Sequence, residues 1–480
     1  MAKAKTDEKK EKLSDKLFFN LKNCWEGIDK KIEKEIEELS SSYKKFLDMG
    51  KTERECVETI CTLLEKNGFV NIDSITSTQK SFKPGMKIYQ NIRGKSLIAA
   101  VIGKKSAFNG CNILGAHIDS PRLDLKQKPL YEDSDLALFD THYYGGIKKY
   151  QWTAIPLAMH GVFINESGQK TTIKIGEEPG DPVFTITDLL PHLAKEQMDK
   201  KASIAVEGED LDVLVGSRPY NDEKEKEKVK LYILALLNEK YGITEKDFTS
   251  AEIEFVPAFK ASDVGFDRSM IGAYGHDDRC CAWPAVQAIL AIANESSSKT
   301  IPEKTIVCYL SDKEETGSAG NTGARSLNFQ NFLTMLCDNE AQARLCFSRS
   351  SMLSADVNAA FDPTYAGVYD KKNVSFLGKG IVLEKYTGSG GKYGASDANA
   401  EYCAKVQAIL NRNKIQWQCG ELGKVDKGGG GTIALYAANL GIDVLDCGVP
   451  VLSMHSPFEV ISKVDLYVTL KGYIAFLKDA

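Results

Sequence analysis

The stretch KTIVCYLSDKEE, residues 304–315, sets the narrowest limit on how this chain can fold. Ile306–Leu310 is apolar at every position, and the sequence then turns abruptly to Ser, Asp, Lys and two adjacent glutamates. A half-exposed strand alternates polar and apolar residues. A short run that is apolar on both faces must be covered on both, as in parallel sheets flanked by helices. Glu314 and Glu315 stand where that strand ends, and like charges so close repel. Either they form a solvated loop tip or something positive sits between them.

Other segments repeat the pattern. CNILGAHID is apolar until His117, and GIDVLDCGVPVLSMH ends at His455. QNIRGKSLIAAVIG reads as a further strand. LFFNLKNCWEGI, KKIEKEIEELSSSYKKFLDMG, TERECVETICTLLEKNGF and DDRCCAWPAVQAILAIAN read as helices; in the third, Cys56, Ile60 and Leu63/Leu64 recur at helical spacing before Asn67-Gly68. From about residue 126 the texture changes. GVFINESGQKTTIKIG alternates and turns at Gly, as antiparallel strands do. NDEKEKEK reads as a solvated loop before an amphipathic helix. The expected organisation is one α/β unit, residues 1–125 and 265–480, interrupted by a β-rich insertion over 126–264. Residues 1–16 are charged and are expected to be mobile.

The 480 residues allow about two to four domains. A net charge of −5 argues against a nucleic-acid surface. No apolar run approaches the ~18–20 residues a membrane helix needs. The N-terminus lacks an apolar core for a signal peptide, and the 12 cysteines include no C-x-x-C, so reduced thiols in a cytoplasmic protein are expected.

With only six histidines, the company of each decides its reading. A histidine at the C-terminal end of a strand in an open parallel sheet points into the crevice where ligands bind. His117 and His455 both follow strand-like runs. Asp119, Asp277, Asp278, Glu314, Glu315 and Asp356 lie at similar boundaries. Any one of these acids reads equally well as a solvated strand-end residue, but the joint pattern does not. A dinuclear hydrolytic centre needs such an inventory. It takes a bridging carboxylate, further carboxylates and neutral imidazoles, plus one unligated carboxylate to accept a proton from water. Neither H-E-x-x-H nor C-x-x-C is present.

G-A-H-I-D-S-P-R, G-H-D-D-R, S-D-K-E-E-T-G-S, S-A-D-V-N and M-H-S, in this order, resemble the aspartyl aminopeptidase/vacuolar aminopeptidase I family of co-catalytic zinc aminopeptidases. The resemblance runs from about residue 50 to 475. It implies an α/β metallopeptidase fold, a three-layer domain with a mixed, mainly parallel sheet, interrupted by an inserted β-rich dimerisation domain. It further implies two divalent ions per subunit, zinc or else cobalt or manganese, and a dodecamer built from dimers. By resemblance, His455 with Glu315 holds one ion, His117 with Asp356 the other, and Asp277 bridges them. Glu314 is the general base and Asp119 orients His117. His160, in QWTAIPLAMHGVFIN, is matched to a histidine that reaches a neighbouring subunit's active site; on its own it looks like a core histidine. Tyr393, in GSGGKYGAS, is matched to a position near the substrate. Gly428–Gly431 and Thr432 precede a helix-like stretch and could cradle a peptide carboxylate, Gly430 and Gly431 foremost; a plain loop explains them as well.

The sequence also departs from the family pattern. Asp277-Asp278-Arg279 looks more like a sister family of tetrahedral aminopeptidases. Asn358 and Asp362 stand where eukaryotic members carry histidines, and Glu384-Lys385 stands near a lone basic residue of those enzymes. These changes undercut a preference for acidic N-terminal residues, which leaves acidic against neutral or hydrophobic open. The expectation is a cytoplasmic metalloaminopeptidase acting on peptides with a free N-terminus, without nucleic-acid or membrane partners. The alternatives are a related dinuclear deacylase or amidohydrolase, or a non-enzymatic assembly protein with a vestigial site.

Overall fold

Caps and apolar faces place the first long helices. Lys30–Met49 begins where the Asp29 carboxylate accepts the Lys31 and Ile32 amides, and it buries Ile36, Leu39, Tyr43, Phe46 and Leu47. Glu53–Lys66 begins with a capping box between Thr52 and Glu55. The structure, a computed structural model, describes residues 12–74, 82–165, 167–295 and 301–480. Most of the charged start of the chain, residues 1–11, lies outside the described residues. LFFNLKNCWEGI does not form the expected helix. Only Leu13–Leu17 is helical, and the backbone beyond it bonds to other segments. Cys24 N donates to Gly378 O (2.7 Å), while Lys379 and Gln416 side chains donate to the Leu21 and Lys22 carbonyls.

The main sheet has nine strands, in the order Val70–Asn71, Lys87–Ile92, Ser96–Val101, Thr305–Ser311, Cys111–His117, Ser351–Ser354, Asp443–Gly448, Ile381–Glu384 and Trp417–Cys419. Four central strands run parallel: Thr305–Ser311, Cys111–His117, Ser351–Ser354 and Asp443–Gly448. Thr305–Ser311 also pairs antiparallel with Ser96–Val101, so the sheet is mixed. QNIRGKSLIAAVIG is not one strand but a hairpin, Lys87–Ile92 and Ser96–Val101, turning through Arg93 and Gly94, both at positive φ. One face of the sheet packs on a core shared with helices Lys30–Met49, Glu53–Lys66, His276–Asn294, Ala400–Arg412 and Lys463–Asp479. The other face packs on Asn328–Met335, Glu340–Arg349 and Ala434–Ala438. Helices on both faces satisfy the two-sided apolar character of TIVCYL. The result is a three-layer α/β architecture.

The β-rich segment forms a six-stranded antiparallel sheet, ordered Lys170–Ile175, Leu157–Ile164, Glu252–Pro257, Arg122–Asp133, Leu136–Tyr144 and Val213–Gly216, with its own core. Helix Lys228–Tyr241 adds Val229 and Leu237 to that core. Buried charges tie this sheet to the Glu53–Lys66 helix. The Arg122 guanidinium meets Glu53 at 3.1 Å and Glu254 at 3.3 Å, and Lys51 meets Glu177 at 3.4 Å. A third sheet, unforeseen in the sequence, joins Ser262–Val264, Met270–Ala273, Glu459–Ser462, Pro450–Leu452 and Asn358–Ala359. His455 stands in the connection between two of its strands, Pro450–Leu452 and Glu459–Ser462, and not at the end of a main-sheet strand as expected.

Candidate metal centre

His117 is the last residue of its strand, and Glu314 and Glu315 lie in a single 3-10 turn just beyond the neighbouring strand. Asp356 follows Ser351–Ser354 by two residues, and Asp277 is in the first turn of His276–Asn294. The peptide bond between Asp277 and Asp278 is cis. With His455 supplied by the third sheet, five of these side chains converge in two groups sharing one member. His117, Asp277 and Asp356 form one group and Asp277, Glu315 and His455 the other; within each, one ligand atom per residue lies within 4.8 Å of the others. Asp277 presents one oxygen to each imidazole. Oδ1 is 3.1 Å from His117 Nε2, and Oδ2 is 3.2 Å from His455 Nε2.

Both imidazoles are fixed from behind. His117 Nδ1 faces the Asp119 carbonyl and Oδ1, each at 3.2 Å, and His455 Nδ1 faces the Gly146 carbonyl at 2.8 Å. These oxygens can only accept, so each Nδ1 carries the proton. In the neutral rings both Nε2 lone pairs then turn toward Asp277. Asp119 does more than orient His117. It also accepts the Glu314 and Glu315 amides at 3.1 and 3.2 Å and the Tyr144 hydroxyl at 2.8 Å, which pins the two-glutamate turn.

The charge balance shows what the cluster lacks. Burial favours neutral Asp277, but the two imidazoles outweigh it and hold this carboxyl well below the usual range. Burial, with Asp277 adding, pushes Glu315 far up; burial and Asp278 do the same to Asp356. Burial pushes Glu314 up to about 7, opposed by His117. Against its burial, Asp277 and Glu315 raise His455 to about 11. Glu315 Oε1 is buried without a hydrogen-bond partner among the described residues. Buried acids crowded this way need cations, and the donors present, imidazole and carboxylate, suit divalent ions such as zinc. The residues fit such ions. Glu314 belongs to neither three-residue group, and its Oε2 is 4.0 Å from His117 Nε2.

Three residues that hydrogen-bond to the centre escaped the sequence reading. Glu459 accepts the His455 amide at 2.7 Å and the Asp277 amide at 3.0 Å, which locks the third sheet to the helix start. Tyr144 and Gly146 reach the centre from the end of a strand in the six-stranded sheet and the turn after it. No local motif marks any of them.

His160 lies on Leu157–Ile164, within the six-stranded sheet. The ring is fully buried in this chain, with Nδ1 2.8 Å from Glu55 and Nε2 3.3 Å from Glu177. Two carboxylates enclose it, and it has no exposed edge to offer a neighbouring subunit. Tyr393 is highly exposed and, with Gly430 and Gly431, lies outside both three-residue groups, on loops joined by the short pairing of Gly388–Ser389 with Gly429–Gly430. The glycine run answers to that pairing more than to an anion. Gly429 has φ 143°, and a Cβ there would sit 2.6 Å from Gly388 O; a Cβ at Gly428 would sit 1.8 Å from Leu422 O. The helix after it, Ala434–Ala438, is a single short turn of five residues.

The three-layer fold and this donor set define the class, an α/β metallopeptidase. The family described as aminopeptidase I zinc metalloprotease (M18) matches residues 46–477, and the chain belongs to it. A probable M18 family aminopeptidase 1 of Clostridium acetobutylicum is 52% identical over 468 residues, 96% of this chain and 99% of that protein. The crystal structure of an M18 family aminopeptidase from Thermotoga maritima is 46% identical, with TM-score 0.90, covering 96% of this chain and 100% of that one. The vacuolar aminopeptidase 1 of Saccharomyces cerevisiae is 24% identical over 467 residues, 93% of this chain and 89% of its own. The protein is a metal-dependent aminopeptidase. Among the described residues no helix is long and apolar enough to cross a membrane.

Proposed function

We propose that the chain removes the N-terminal residue from peptides at a centre of two zinc ions, with Glu314 as general base. The observation that carries this reading is Asp277, whose two oxygens each face a different imidazole. His117 and Asp356 would hold one ion, His455 and Glu315 the other, and Asp277 both. Two such ions, when bound, polarise a peptide carbonyl and make water a nucleophile at neutral pH. Asp119 and the Gly146 carbonyl keep both Nε2 atoms aimed at the centre. Glu314 takes the proton of the attacking water and delivers it to the leaving amine, a use suited to a carboxylate that belongs to neither three-residue group and lies 4.0 Å from His117 Nε2. Surrounding carboxylates bind the substrate's free α-amine, which restricts cleavage to the chain end. Tyr393, Gly430 and Gly431 flank the substrate from the paired loops.

Residues 126–264 act as an inserted dimerisation module and the chain assembles into a dodecamer. A solved mApe1 from Saccharomyces cerevisiae is described as a dodecamer. Leu189, Leu190, Leu193 and Met198 are exposed on this segment and offer apolar contact surface. Twelve free cysteines, mostly buried, fit a reducing cytoplasm. The test is metal content together with turnover of aminoacyl and N-acyl substrates. Two ions per chain with aminoacyl turnover are expected. Hydrolysis of N-acyl substrates alone would mark a deacylase, and absence of bound metal after supplementation would mark a non-enzymatic protein.

A further inference from the structure

Two further buried carboxylates lie in the same sheet, along one row from the metal groups. Strand register sets Glu384 opposite Asp446, Asp446 beside Ser354, and Ser354 beside Gly115. Residues in one such row face the same side of a sheet. His117 lies two residues past Gly115, and Asp356 two residues past Ser354. The end of the Asp446 strand packs on the Asp356 backbone: a Cβ at Gly448 would sit 1.6 Å from Asp356 O.

Neither carboxyl has a cation beside it among the described residues. Asp446 Oδ1 accepts the Thr432 hydroxyl at 2.6 Å, while the buried Oδ2 has no hydrogen-bond partner among the described residues. Glu384 is buried, and no hydrogen bond or ion pair among the described residues engages it; its charged neighbours are Asp446 and Glu421. The nearby lysines are committed elsewhere, since Lys385 and Lys392 both donate to Asp397. These acids are also not gathered tightly enough to chelate a metal. Among the described residues only the two groups around Asp277 are. Burial pushes both carboxyls up, Glu384 far and Asp446 to about 7, so without a cation beside them they favour the neutral form, and a cation arriving with the ligand favours the ionised pair. The loops bearing Tyr393 and Gly430 attach here, through Tyr386 to Glu421 and Thr432 to Asp446.

We propose that Glu384 and Asp446 receive the side-chain cation of the substrate's N-terminal residue, so that the enzyme prefers N-terminal lysine and arginine. This rests on the aminopeptidase reading above and names its substrate class. A neutral residue leaves both carboxyls without a cation, and an acidic one brings its negative charge against two buried acids.

The test compares kcat/KM of the metal-supplemented protein for Lys, Arg, Leu, Ala, Asp and Glu p-nitroanilides, with calorimetric binding of lysinamide and leucinamide as a readout independent of turnover. Lys and Arg should exceed Leu and Ala by about tenfold or more, with Asp and Glu slowest, and lysinamide should bind about tenfold tighter than leucinamide. Glu384→Gln and Asp446→Asn should each cut the Lys-to-Leu ratio about tenfold, and Glu384→Lys should shift preference toward acidic residues. Leu or Asp turned over as well as Lys by the unmodified protein, or a ratio unmoved in both neutral variants, overturns the proposal. If the variants fail to fold, the unmodified protein's substrate panel and calorimetry decide it. Loss of all aminoacyl turnover in a protein with both metals bound overturns the aminopeptidase reading instead, and the lysinamide measurement still judges the carboxylate pair.

Discussion

Replacing Glu314 with Gln removes one function and little else. The side chain keeps its size, and the turn stays pinned because Asp119 bonds the Glu314 and Glu315 backbone amides. Neither three-residue metal group includes Glu314, so both should fill as before. What disappears is a carboxylate, 4.0 Å from His117 Nε2, that can take a proton from water. Loss of a general base costs roughly 10²–10⁴ in rate. That corresponds to about 3–5 kcal/mol of barrier. The assay is kcat on an aminoacyl p-nitroanilide, with metal content measured by plasma mass spectrometry on the same sample. Expected are an unchanged metal content and a kcat lower by at least about a hundredfold. A kcat within a few-fold of the unmodified protein would refute the base assignment. Loss of metal would show that Glu314 is a ligand and that the division of labour between the two glutamates is wrong.

Glu315→Ala should differ in kind: it removes a member of the Asp277–His455 group, so one ion should be lost in the same metal measurement. His160→Ala should destabilise by about 3 kcal/mol or more, seen as a lower Tm, because Glu55 and Glu177 lose their buried partner. Its metal content should be unchanged, since the ring is outside the centre. Metal binding should release protons and tighten as pH rises. The metal-free centre keeps a proton on His455, whose value is raised to about 11, and on the raised His117, Glu315 and Asp356, and ligation needs all four bare. Calorimetry in buffers of different ionisation heat reads that release, and pH-independent binding without proton release would contradict it.

Much of the fold was legible because burial leaves a local record. TIVCYL and CNILGA carry no polar face, and both lie in the parallel centre of the sheet with helices on either side. The metal-group residues were legible as acids and histidines at element ends, a chemical inventory that needs no tertiary contact to be noticed. What failed was whatever depends on distant pairing. Pro450–Leu452 is three residues long and finds its partners in Glu459–Ser462 and Asn358–Ala359, so nothing near His455 told which sheet would carry it. His160 read from its own surroundings as a core histidine, and it is buried as one; what those surroundings concealed are its partners, Glu55, more than a hundred residues earlier, and Glu177 from the neighbouring strand end. LFFNLKNCWEGI has helix-like content, but its backbone groups are taken by Gly378, Lys379 and Gln416.

The central claim is a pair of ions bridged by Asp277, and anomalous diffraction from crystals of the zinc-loaded protein tests it most directly. Two peaks about 3.5–4 Å apart are expected. One should lie against His117 and Asp356, the other against His455 and Glu315, with an Asp277 oxygen on each and Glu314 on neither. A single peak, or peaks elsewhere in the chain with the Asp277 carboxylate unligated, would contradict the account.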